Sequence, residues 1–150
     1  MLRVRFRNAL PLGNLLNVRV VERDETYGGV RFAISLRFGN GRDQTFLART
    51  HAWVGLEAVA AFARELEVVE RTRRGSATMT SMSPGEFVFT VAIVDSAGHP
   101  VVRGQTGRRI LVRDDWVWCC VPFEIPFDPG LLPGLAEEFG RFVAGGDGST

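Results

Sequence analysis

The 150-residue sequence contains no lysine; all eighteen basic residues are arginine. It has two cysteines, Cys119 and Cys120, and two histidines, His51 and His99. No uninterrupted apolar run approaches the ~20 residues needed to span a bilayer. The charged, alternating start Met1-Leu-Arg-Val-Arg-Phe-Arg7 lacks the apolar segment of a secretory signal. These absences lead to the expectation of a cytoplasmic protein without a membrane partner. Consecutive strand residues point to opposite faces, so the adjacent cysteines neither pair readily nor share one metal. Two free, largely buried thiols in a reducing compartment are expected. Neither histidine has a companion at metal-ligand spacing, and there is no Gly-x-Ser-x-Gly elbow and no glycine-rich phosphate loop. Asp114-Asp115, the one tight acidic pair, lies between two strand patterns and predicts a turn rather than an acid/base pair. The expectation is therefore no catalytic residue, no metal and no cofactor.

What is present is an ordinary globular composition, 45% apolar and 23% charged, in a length suited to one domain. A single domain over residues 1–144 with a tail over 145–150 is expected. Residues 1–50 carry nine arginines against four acids, whereas 51–150 carry nine against thirteen, so the basic character is concentrated in the first third.

The patterning runs twice through one layout, strands closing into an amphipathic helix. Leu2, Val4 and Phe6 alternate with Arg3, Arg5 and Arg7, a period of two that predicts a half-buried strand. A break at Pro11 and Gly13 follows, then a strand over Leu16–Val21, a turn at Asp24–Gly29, and the strongest strand pattern, Val30–Phe38. Gly39-Asn-Gly-Arg42 is a hairpin signal, and a fourth strand is expected over Gln44–Thr50. A helix is expected from about Ala52 to Val69, with Leu56, Val59, Ala60, Ala63, Leu66 and Val69 inward. In the second half, Ser76–Ser83 is an edge-strand candidate and Phe87–Val94, apolar on both faces, a central strand. Asp95-Ser-Ala-Gly-His-Pro100 is a turn. Val101–Gly104 and Arg109–Arg113 are strand pieces parted by a bulge at Gly107. Trp116–Ile125 is a strand in which Pro122 argues for an edge position or a bulge, and Asp128-Pro129 opens the closing helix. The fold class expected is α+β, with a curved, mainly antiparallel sheet of about eight strands and two helices packed on one face.

Two surface patterns are candidates for binding. Arg3, Arg5, Arg7, Arg19, Arg31 and Arg37 all stand opposite the apolar positions of their strands, so neighbouring strands would carpet one sheet face with guanidinium groups. Arginine suits bidentate binding of carboxylate or phosphate. A merely solvated face explains the same pattern, and nucleic acid is disfavoured because no aromatic residue is interleaved to stack bases. Trp116 and Trp118 share the strand face opposite Val117, Cys119, Val121 and Phe123. They are either covered by a helix, the expectation here, or exposed as interface anchors.

Leu56-Glu-Ala-Val-Ala-Ala-Phe62, Phe87–Val94, Asp95-Ser-Ala-Gly-His99, Trp116-Val-Trp118 and Phe127-Asp-Pro-Gly-Leu-Leu132 together resemble, in order and spacing over residues 30–144, the WapI-like group of small bacterial immunity proteins. Arg71-Thr-Arg-Arg-Gly75 departs from that group, which carries a tryptophan-rich segment at this place. The resemblance implies a non-enzymatic protein that neutralises a cognate toxin by binding it, and it supplies no catalytic residues. Two other readings stay open: a ligand-binding protein or enzyme with a sheet–helix pocket in which His51 or Cys120 is reactive, and an assembly subunit in which the tryptophan pair makes a homomeric interface.

Overall fold

The computed structural model describes residues 2–7, 15–39 and 45–145, apart from the side chains of Arg7, Leu15 and Thr45. The chain runs β1 (Arg3–Arg7), β2 (Leu15–Asp24), β3 (Gly29–Gly39), β4 (Thr45–Gly55) and α1 (Leu56–Thr72). It continues through β5 (Ser76–Thr80), β6 (Phe87–Ile93), β7 (Pro100–Val112) and β8 (Asp115–Pro126), then a 3-10 turn (Pro129–Leu131) and α2 (Leu132–Val143). The class is α+β with eight antiparallel strands and two helices. The strands are divided between two four-stranded meanders, β1-β2-β3-β4 and β5-β6-β7-β8, instead of forming one continuous sheet. The seventeen-residue α1 carries the chain off β4 and packs on β5, so the second meander begins a new sheet. Each half thus follows the same order, four strands and then a helix.

Period-two alternation builds the first sheet. Val4, Phe6, Leu16, Val18, Val20, Val30, Phe32, Ile34 and Leu36 all face the core and are buried. The alternation does not stop at Thr50. Ala52 and Val54 stand opposite Phe32 and Val30 and are buried, so β4 continues to Gly55 and the helix starts four residues later than expected. Trp53, expected at the head of that helix, is consequently a strand residue. α1 buries Val59, Phe62, Ala63, Leu66 and Val69, and α2 buries Leu132, Leu135, Phe139 and Phe142, the i, i+3, i+4 spacing of an inward stripe.

The two sheets and both helices meet in one cluster of phenylalanine rings. Phe89 of β6 lies 5.9 Å from Phe6 of β1, 5.5 Å from Phe62 of α1 and 6.4 Å from Phe139 of α2, and Phe32 of β3 meets Phe87 of β6 at 6.1 Å. The hydroxyls of Thr50 and Thr106 also bridge the sheets. Arg23, carried to the core side by a register shift between Val20 and Glu22, donates to the Phe142 carbonyl oxygen at 3.1 Å. It thereby places a cation at the carboxyl end of α2, where the helix dipole favours one.

Local punctuation follows the sequence closely in the second half. The Asp128 carboxylate accepts from the Gly130 amide at 2.8 Å, and Pro133 sits in the first turn of α2. In the 95–99 turn the His99 amide donates to Asp95, and the His99 ring lies 2.6 Å from the carboxylate. That ring hydrogen bond holds the Asp95 carboxyl below its ordinary value. The Pro11–Gly13 break, the tip of the Gly39–Arg42 hairpin and the tail from residue 146 lie outside the described residues.

Candidate functional surfaces

β7 is one unbroken strand with no bulge at Gly107, and every residue from Val101 to Val112 has a partner in β8. Its inner neighbour β6 is much shorter and covers it only from Pro100 to Thr106. β7 beyond Gly107 and β8 before Val121 therefore leave the sheet as a two-stranded arm, about 20 Å long at ~3.3 Å per residue. Residues 108–120 are all exposed. The equivalent β3–β4 hairpin makes no such arm, because β2 follows β3 as far as Arg37.

The arm overturns two expectations. Trp116 and Trp118 are not covered by a helix; they are 67% and 43% exposed. The tryptophans stand at the register positions opposite Leu111 and Arg109, on the strand face away from the buried Phe123 and Ile125. Cys119 and Cys120, expected to be buried, are free and exposed. Mid-strand position alone suggested burial, but burial needs a facing layer and none reaches the arm. The opposite face, with Ile110, Val112, Val117 and Cys119, continues the inward-facing row of Phe123 and Ile125 past the end of the core. At the tip, Arg113 takes a left-handed φ of 56°, a conformation that favours glycine.

The arginine face forms as expected in its register. Arg3 stands directly opposite Arg19, Arg5 opposite Asn17, Arg7 opposite Leu15, Arg19 next to Ala33, and Arg37 between Leu15 and Leu47. Arg3, Arg5, Arg19 and Arg37 are exposed and have no ion-pair partner among the described residues. Arg31 differs: its Nε lies 3.3 Å from the Glu22 carboxylate and it is half-buried beside Trp53. Like charges directly across a strand pair are destabilising, so the Arg3–Arg19 pair costs stability as long as no anion lies over it. Among the described residues the face carries two carboxylates, both at one end. Glu22 is held by Arg31, and Asp24 accepts from the amides of Thr26 and Tyr27.

Three more residues belong to this face and were missed. Extending β4 to Gly55 places Arg49 opposite Ser35, His51 opposite Ala33 and Trp53 opposite Arg31. The alternation Leu47, Arg49, His51, Trp53 was the available signal, but it was split between a strand and a helix. Trp53 also supplies one aromatic ring to a face that was expected to have none.

The pocket reading receives no convergence of its residues. His51 lies on the outer face of the first sheet and Cys120 on the outer face of the second, with the core between them. A cleft of about 640 Å³ beside the base of the arm is lined by Ser83, Pro84, Glu86, Arg108, Arg109 and Trp118. Among the described residues no three His, Cys, Asp or Glu side chains converge as metal ligands, and no helix is long and apolar enough to cross a membrane. No family model, curated protein or solved structure matches the chain.

Proposed function

We propose that the protein is a non-catalytic binding domain of immunity type, which docks an acidic surface of a partner protein, a toxin domain, on the arginine face of the first sheet. The observation that carries this reading is the row of exposed, uncompensated guanidinium groups at Arg3, Arg5, Arg19 and Arg37, with Arg3 and Arg19 held directly opposite one another. A partner carboxylate bridging that pair converts a repulsion into two charge-assisted hydrogen bonds. Arg49 extends the same patch, His51 lies within it, and Arg7 stands at a register position in line with Arg3 and Arg5. A flat protein partner fits the geometry better than a polynucleotide, since among the described residues Trp53 is the one Phe, Tyr or Trp on the face and is itself half-buried against Gly29 and Met82.

The test is affinity capture from the native host with the full chain as bait, eluted with a salt gradient, beside a variant carrying Arg3→Glu, Arg5→Glu and Arg37→Glu. The expected result is a stoichiometric acidic protein that wild type holds at low salt and releases as salt rises. The triple variant, with an unchanged circular dichroism spectrum, should bind it at least about a hundredfold more weakly, as like-charge contacts each cost several kcal/mol. Equal affinity for both proteins removes the arginine face from the function.

A further inference from the structure

We propose that the β7–β8 arm is a dimerisation element, in which β8 of one copy pairs antiparallel with β8 of a second copy about a twofold axis near Trp118. Two isolated strands are marginal in water, and this pair exposes apolar side chains on both faces: Leu111, Trp116 and Trp118 beside Arg109 on one, Ile110, Val112 and Val117 beside Arg108 on the other. Leu111, Trp116 and Trp118 make one exposed apolar patch on the order of 400 Å², a size at which such patches are often functional.

The outer edge of β8 shows where the added strand goes. Over the sandwich the edge is guarded by Pro122 and Pro126, which have no amide hydrogen, and by the charge of Glu124. From Trp116 to Val121 there is no proline and no charge, although such residues are the usual protection of an open edge. The unguarded stretch coincides with the arm.

A second copy of this chain fits that edge better than an unrelated strand. Antiparallel pairing about Trp118 sets Trp116 against the partner's Cys120 and Val117 against the partner's Cys119, apolar on apolar with no like charges opposed. The arginine face, by contrast, repels a second copy of itself, which leaves the arm as the surface where two identical chains can approach. The pairing joins the two second sheets into one eight-stranded sheet across the dimer and leaves both arginine faces free.

Sedimentation equilibrium on the isolated full chain tests this, with no partner present, so the outcome is independent of the function proposed above. A dimer at roughly micromolar concentration is expected. The double variant Trp116→Glu, Val117→Lys changes only exposed side chains. Its dimer should dissociate at a concentration at least about a hundredfold higher, as for loss of an aromatic hot spot. Hydrogen exchange should show those amides of 116–121 that point away from β7 protected in wild type and unprotected in the variant. A monomer at every concentration up to about a millimolar overturns the proposal and leaves the arm to a partner of different sequence. A dimer that survives the double variant overturns it equally.

Discussion

Replacing Gly104 with alanine is expected to destabilise the protein severely, although glycine-to-alanine changes are commonly mild. Gly104 stands in the middle of β7, opposite Phe89 on one side and Phe123 on the other. A Cβ built there falls onto the carbonyl oxygen of Val88 and comes within 3.3 Å of the Phe123 ring. The obstacle is backbone in a central strand pair, so no rotamer change relieves it. Either β6 separates from β7 or Phe123 leaves its buried place over the glycine. Overpacking usually costs about 1–3 kcal/mol, and a clash with a ladder carbonyl adds a lost hydrogen bond and a displaced aromatic ring. A loss of at least about 4 kcal/mol is therefore expected, against a total stability on the order of 5–15 kcal/mol. Urea titration followed by circular dichroism measures it; a midpoint within error of wild type would show that β6 and β7 are not paired at this register.

Gly140 gives the control of opposite sign. It sits inside α2, is exposed, and a Cβ there meets nothing within 4 Å. Gly140→Ala is expected to stabilise the chain by about 0.5–1 kcal/mol, because alanine loses less backbone entropy on entering a helix. The same titration, run beside Gly104→Ala, separates a steric effect from a general response to losing a glycine. A destabilised Gly140→Ala would mean that α2 packs against something on that side.

Local rules made much of this fold legible. Strict alternation in β1 and β3, the Asp128-Pro129 helix start and the Asp95–His99 turn each depend on residues within a few positions, and each formed where its pattern lay. The arginine face was legible for the same reason, since a period of two assigns faces before strand order is known. The failures share a cause: each needed to know how long a neighbour is. Trp116, Trp118, Cys119 and Cys120 look like core by composition, and they would be core if β6 ran to the tip of β7. β6 ends its pairing at Phe87 opposite Thr106, so the same apolar strand projects into water. Gly107 resembled a bulge because glycine weakens a strand. Its requirement comes instead from close packing, since a Cβ placed there would lie 2.8 Å from the Trp118 ring and 3.0 and 3.1 Å from the carbonyl oxygens of Cys119 and Gly85. The division into two sheets was equally hidden, because alternation says nothing about whether the strand after a helix rejoins the old edge or starts a new sheet.

The second large effect is expected at Phe89, where the two sheets and both helices depend on one ring. Phe89 is fully buried, and its neighbours Phe6, Phe62, Phe87 and Phe139 come from β1, α1, β6 and α2, with centroids 5.5–6.4 Å away. Phe89→Ala removes the hub and leaves a cavity whose walls belong to four separate elements. Those walls are themselves fixed: Phe62 and Phe139 meet edge-on at 4.8 Å, and Phe6 is held edge-on by Phe127 at 5.0 Å. A cavity that cannot collapse sits at the costly end of the range for such substitutions, about 3–5 kcal/mol. For a chain of this length each kcal/mol moves the melting temperature by about 2–4 °C, so a fall of roughly 10–15 °C is expected in a thermal melt. Phe89→Leu, which refills most of the volume, should recover more than half of that loss. Val94→Ala, at an exposed position just past the end of the same strand, should shift the melt by no more than about 2 °C. If Phe89→Ala melted like Val94→Ala, the two sheets would have to be stable without each other. The arginine face and the arm would then belong to halves that fold independently, and a binding defect at one would carry no information about the other.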